Sequence, residues 1–206
     1  MEEGRPLQNM AEAFKELSNR LNEFPEGEEA GLEVAAFVKA CSSVSPLIRC
    51  LGGAFLYAEI EYVSKVKDLE EASKSVSVVA EMIDEDVRSD CVRKAGSHTR
   101  NLLRLKRVLD MIKILFEKII STEGNSLKDQ AIEAFSVFSS HHGFTIRKDV
   151  TAGMFDAFPT RAQLLIKLNE DESSSRIEMQ KFISSAAQVG EYLDQLFNTR
   201  GLGTDW

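Results

Sequence analysis

CVRKAGSHTRNLLRLKRVL (91–109) is the stretch from which both fold and chemistry can be read. Six of its residues are basic (Arg93, Lys94, Arg100, Arg104, Lys106, Arg107), His98 adds an imidazole, and none is acidic, although the chain has formal net charge −8. At about 100° per residue, Arg93, Arg100, Arg104 and Arg107 fall on one stripe of an α-helix. Leu102, Leu105, Val108, Leu109, Ile112 and Phe116 occupy the adjoining arc. A cationic row along an apolar margin suits a ligand with an anionic head and a greasy body. The plain alternative is a solvated face whose arginines pair with carboxylates of neighbouring helices. The lack of any acid between Asp90 and Asp110 weighs against it, because a solvated helix usually interleaves signs.

Outward from this stretch the helical period continues in both directions. It predicts a long helix over Asp84 to Ser121. Towards the N-terminus, Leu7, Met10, Phe14, Leu17, Leu21 and Phe24 define a first amphipathic helix, broken by PEGEEAG (25–31). A second helix is expected over Leu32 to Cys41. Ser45-Pro46 then reads as an N-cap followed by proline at the first position of a third helix, about Leu47 to Lys67, burying Leu51, Phe55, Ala58, Tyr62 and Val66. Asp68 with Glu71 resembles a capping box that restarts a helix carrying Val76, Val79 and Ile83. The alternating SVSVV (75–79) is too short to outweigh its helical flanks.

Towards the C-terminus, Ser126 is expected to cap a helix with Leu127, Ala131, Phe135 and Phe138 inward. HHGF (141–144) interrupts, and a helix from about Thr145 to Phe158 stops at Pro159. Thr160 caps a short helix to Asn169. After the polar 170–175 segment, Ile177, Phe182, Ile183, Ala186, Val189, Leu193 and Leu196 mark a final helix ended by Gly201 and Gly203. The prolines all fall at helix boundaries. The reading is all-α: eight or nine helices in a two-layer sandwich, one domain across 1–206.

Composition narrows the function. Hydrophobic content of 43% with 28% charged residues is that of a globular chain. The acidic balance argues against nucleic acid as a partner. Three cysteines without CxxC spacing read as buried thiols in a reducing compartment. No signal-peptide core and no run of about 20 apolar residues is present, so a cytoplasmic protein is expected. His141 and His142 are adjacent and lack partners at ligand spacing, so no metal site is expected. A Cys91–His142 nucleophile pair would lack an elbow or oxyanion motif, and no glycine loop cradles a phosphate. The chain is read as a non-enzyme without cofactor. Glu61 and Lys65, four apart, form either an ordinary ion pair or a ligand acceptor beside a phosphate-directed charge.

DCVRKAGSHTRNLLRLKR (90–107), with EIEYVSKVKDL (59–69), SLKDQA (126–131), HHGF (141–144), FPTRAQLL (158–165) and LGTDW (202–206), resembles the glycolipid transfer protein superfamily. The likeness is nearest to its plant accelerated-cell-death branch, which transfers ceramide-1-phosphate. It implies a helical sandwich taking lipid chains between its layers, a headgroup in a surface cleft, and transient contact with a membrane surface by a monomer. Carried over by position, the acidic anchor for the ceramide amide falls on Glu61, a headgroup residue on Lys65, the phosphate-binding arginines on Arg100 and Arg104, and an amide-contacting histidine on His142. Two departures stand out: Glu61 replaces the usual Asp, and Phe144 replaces a common Trp. Arg104 stands where sugar-binding members carry a tryptophan, so a phosphate headgroup is expected. The apolar arc of Phe55, Ala58, Tyr62, Leu103 and Val108, with Phe144 nearby, is expected to line a chain-sized cavity. The alternative function is a helical adaptor binding phosphorylated protein segments through the basic groove.

Overall fold

The computed structural model describes residues 4–23, 31–137 and 153–206, and its regular structure there is all-α. α1 (Pro6–Asn22) opens on a proline, where the missing N–H has no intrahelical partner to lose, and buries Leu7, Met10, Phe14 and Leu17. α2 (Val34–Ser42) buries Val34, Phe37, Val38 and Cys41. Just before it, Glu33 pairs with Val78 in one antiparallel bridge, flanked by bonds from Val34 N–H to the Ser77 carbonyl (2.9 Å) and from Val79 N–H to the Leu32 carbonyl (2.8 Å). The alternating 75–79 fragment thus ties two helix starts together without building a sheet.

The expected third helix is three pieces: α3 (Ser45–Cys50), a 3-10 turn (Gly53–Phe55) and α4 (Leu56–Ala72). Gly52 has φ +106, a conformation that side chains with a Cβ rarely adopt, and the chain turns there. Ser45 is not a cap. It lies inside α3 and its hydroxyl donates to Glu59 Oε1 at 2.6 Å. Asp68 lies inside α4, so the expected capping box with Glu71 does not form.

The expected long helix also divides, into α5 (Val79–Arg88) and α6 (His98–Ile120). Asp86 holds the break. Its carboxylate accepts from the Thr99 N–H (2.7 Å), the Ser97 hydroxyl (3.2 Å) and the Cys91 thiol (3.1 Å). Burial pushes the Asp86 pKa up, but these bonds, Thr99 first, hold it below the ordinary carboxylate range. Asp90 and Gly96 turn the chain with positive φ, and Ser97 caps α6 by accepting from Arg100 N–H at 3.0 Å.

α7 (Lys128–Ser136) starts without the expected Ser126 cap; its N-cap position is Leu127. Residues 153–156 are helical, Ala157 and Phe158 lie past the end of that turn, and 145–152 of the expected helix lie outside the described residues, with Phe138. Thr160 caps α8 (Arg161–Leu168) in a capping box with Gln163, and Asn169 ends it in the left-handed region. α9 (Glu172–Thr199) begins earlier than the apolar pattern suggests, because Asp171 and Ser174 form a capping box from the polar segment. Ile177, expected inward, is 60% exposed.

α6 is central to the two-layer sandwich, packing against α4, α5, α7 and α9, while α1 lies along α9 and α2. Phe182 of α9 meets Phe14 of α1 and Phe116 of α6 edge-on, with centroids 5.1 and 5.5 Å apart. The expected chain-lining arc is packed: Phe55, Tyr62 and Leu103 belong to one continuous core, Val108 is half-buried and Ala58 is exposed. Apolar side chains close on one another because an empty cavity forfeits their dispersion contacts.

Candidate functional site

The seam between α4 and α6 gathers four of the five expected site residues. Glu61 and Lys65 stand one turn apart on α4. Lys65 Nζ donates to Glu61 Oε2 and to the Glu61 carbonyl, each at 2.9 Å. The lysine is the more buried partner, with 13% of its side chain exposed against 38% for the glutamate. A single i,i+4 pair on a helix adds only a few tenths of a kcal/mol to stability.

Arg100 and Arg104 stand one turn apart on α6 and are both half-buried. Burial lowers the Arg104 pKa, the Arg100 guanidinium lowers it further, and Glu61 raises it. Arg104 therefore senses both the second arginine and the α4 carboxylate. Among the described residues, no hydrogen bond or ion pair engages either guanidinium. Two like charges held half out of water, without a direct partner, are unfavourable until an anion joins them.

The rest of the expected cationic row is used elsewhere. Arg93 lies in the α5–α6 connection, off the helix, with its guanidinium 5.3 Å from the Trp206 ring centroid. Arg107 is buried and donates to the carbonyls of Thr204 and Trp206, both at 2.6 Å. Lys106 is buried against Asp110 (2.7 Å) and Asp194 (3.0 Å), facing α9. The predicted stripe of four arginines reduces to two because the break at 89–97 takes Arg93 off the helix and the C-terminal segment binds Arg107. His142 and Phe144 lie outside the described residues.

Sequence reasoning missed a second polar constellation on the same seam. Asp68 Oδ2 accepts from Asn101 Nδ2 at 2.9 Å and lies 2.9 Å from His98 Nδ1. The available signal was spacing, since Asp68 follows Lys65 by three and Glu61 by seven, placing all three on one helical face. A separate groove of about 540 Å³ lies between α1 and the start of α2, lined by Glu16, Glu23 and Glu33 around Arg20. Its carboxylates do not suit an anionic headgroup. Among the described residues no group of three or more His, Cys, Asp or Glu could hold a metal ion, and no helix is long and apolar enough to cross a membrane.

Among the described residues, the α4–α6 seam thus sets an arginine couple without a direct anionic partner at the margin of the central helix. A family model for the glycolipid transfer protein matches residues 32–170, and the chain belongs to that family. It is 53% identical over 207 residues to Accelerated cell death 11 of Arabidopsis thaliana, covering 100% of this chain and 98% of that protein. A crystal structure of a point mutant of the Arabidopsis protein, complexed with C12 ceramide-1-phosphate, superposes with a TM-score of 0.92 at 50% identity, covering 98% of this chain and 100% of that one. The human ceramide-1-phosphate transfer protein in complex with 12:0 ceramide-1-phosphate shares the fold, with a TM-score of 0.81 at 17% identity, covering 97% of this chain and 98% of that one.

Proposed function

We propose that this chain, as one domain across 1–206, carries ceramide-1-phosphate between membranes, binding and releasing it without covalent chemistry. The observation that carries the reading is the half-buried Arg100–Arg104 couple beside the Glu61–Lys65 pair. The guanidinium forks of Arg100 and Arg104 supply charge-assisted donors to the phosphate. Lys65 exchanges the Glu61 carboxylate for a phosphate oxygen. That exchange frees Glu61 to accept from the ceramide amide N–H or hydroxyl. His142 is assigned to the amide region by the resemblance alone. The lipid chains enter between the layers by parting packed side chains, and burial of their own methylenes, about 0.8 kcal/mol each, offsets the opening.

Leu56, Tyr57 and Ile60 support the membrane step. They are 57%, 58% and 56% exposed on the first turns of α4, immediately before Glu61. An apolar patch at the mouth of a headgroup site suits brief contact with a bilayer rather than permanent insertion. Free thiols at Cys41, Cys50 and Cys91 fit a cytoplasmic setting.

Vesicle-to-vesicle transfer across a headgroup panel tests the reading. The expected outcome is transfer of ceramide-1-phosphate and little or none of glucosyl- or galactosylceramide. Arg100→Ala or Arg104→Ala should each lower phosphoceramide transfer by about tenfold or more. Efficient glycolipid transfer by the wild type, or undiminished phosphoceramide transfer by both variants, overturns it.

A further inference from the structure

Lys65 and the two arginines are like charges carried by two different helices. Bringing them to one phosphate requires that the charged ends of α4 and α6 stay together despite their repulsion. The Asp68 carboxylate is placed to do this. One oxygen, Oδ2, accepts from Asn101 Nδ2 and lies within bonding distance of His98 Nδ1, both at 2.9 Å. Asp68 is one turn beyond Lys65 on α4, and His98 and Asn101 bracket Arg100 on the first turn of α6. A single oxygen therefore joins the turn that bears the site lysine to the turn that bears the first site arginine. Asp68 lies inside α4, just before its last turn and away from the N-terminus that a carboxylate would cap, so its side chain is available to the neighbouring helix. Its side chain is only 26% exposed, which favours the two bonds over hydration.

We infer that Asp68, through Asn101 and His98, is a positioning residue that sets the separation of Lys65 from Arg100 and so tunes the site to a phosphate headgroup. The inference rests on the proposed phosphoceramide reading. Asp68 makes no contact with the ligand; it acts through the two helices.

Sign separates positioning from plain electrostatics. A carboxylate near an anion site repels the anion, so Coulomb's law alone makes removal of Asp68 strengthen phosphate binding. Positioning makes removal weaken it. Asp68→Asn deletes the charge but keeps a carbonyl oxygen for Asn101, whereas Asp68→Ala deletes both.

Binding of ceramide-1-phosphate presented in phosphatidylcholine vesicles would be measured for Asp68→Ala, Asp68→Asn, Asn101→Ala, Arg100→Ala and the Asp68→Ala/Arg100→Ala double variant, with the unfolding midpoint of each. The expected result is about tenfold weaker binding for Asp68→Ala and Asn101→Ala, with wild-type or tighter binding for Asp68→Asn. In the Arg100→Ala background the Asp68→Ala loss should largely vanish, because the geometry it protects is already lost. Asn101→Ala opens the same tie from α6, so a poorly folding Asp68 variant does not block the test. Unchanged or tighter binding by Asn101→Ala, or fully additive losses in the double variant, overturns the inference. If Arg100→Ala and Arg104→Ala bind as well as wild type, the phosphoceramide reading itself falls. If they lose binding while Asn101→Ala keeps it, only the positioning role falls.

Discussion

The seam between α1 and α9 and the seam between α4 and α6 solve different problems. The first is apolar over most of its length: Leu7, Met10, Phe14 and Leu17 are buried on α1, Phe182 sits edge-on between Phe14 and Phe116, and only towards the end of α1 do Ser18 and Asn22 donate to Gln188 of α9. The second has an apolar floor of Tyr62, Val66, Leu69, Leu102 and Leu103 but a polar margin of His98 and the charged Glu61, Lys65, Asp68, Arg100 and Arg104. One seam holds the molecule together. The other holds half-buried charge where the proposed ligand binds, and that charge contributes little to the unliganded fold. Stability and binding should therefore separate cleanly when each seam is perturbed.

The largest stability effect is expected at the apolar seam. Phe182→Ala removes a ring that touches two others and should cost about 3–5 kcal/mol, read as a lower urea midpoint. A loss below about 1 kcal/mol would show that the seam closes up around the hole and is less rigid than its packing suggests.

Asp86→Ala comes next. It strands the Thr99 N–H at the start of α6, while the Ser97 hydroxyl keeps its bond to the Val92 carbonyl (2.7 Å), and should cost about 1–3 kcal/mol. Its pH dependence has a definite sign. The folded carboxylate titrates below its ordinary value, so its stabilisation is present above about pH 4 and is lost as acid reaches the folded pKa. Acid-unfolding curves should therefore be shallower for Asp86→Ala than for wild type. Identical curves would remove Asp86 as a pH-linked cap.

At the charged seam the stability effects shrink while the binding effects grow. Glu61→Ala should change stability by only a few tenths of a kcal/mol, yet weaken phosphoceramide transfer. Glu61→Asp should keep or improve transfer, since it restores the length usual in the family. Full transfer by the alanine variant would leave Lys65 and the arginines to define the site. The smallest stability effect is expected for Arg104→Ala, within about 0.5 kcal/mol of wild type and on the stabilising side, because it relieves repulsion with Arg100. A marked loss in melting temperature would make that guanidinium structural.

The apolar periodicities of α1, α4, α6 and α9 and the Thr160 cap were legible because their causes are local: one helix, one face, one turn. The break between α5 and α6 was not. Its strongest bond runs from Thr99 to Asp86 across a loop, and only the Ala-Gly-Ser at 95–97 hinted at it. Gly52-Gly53 breaks the expected 47–67 helix from within a continuous apolar arc, whose period alone does not show the break. The site shows the same division. Glu61–Lys65 and Arg100–Arg104 are neighbours at i,i+4 and could be read directly. The loss of Arg107 to the carbonyl of Thr204, 97 residues away, is a tertiary event with no local mark. Asp68 was read as a cap because its local pattern matches one, while its partners lie 30 and 33 residues on.

The C-terminal segment also carries a built-in optical probe. Trp206 is the chain's one tryptophan. Its indole N–H is bound by the carbonyls of Leu202 and Gly203, its ring leans on Phe197, and the Arg93 guanidinium covers it. Its backbone carbonyl meanwhile holds Arg107, on the same helix as Arg100 and Arg104. Intrinsic emission excited at the indole band therefore comes from a single place. It should shift to the red when that segment lifts away, so an unlabelled sample can follow the C-terminal end of the molecule in real time during lipid uptake.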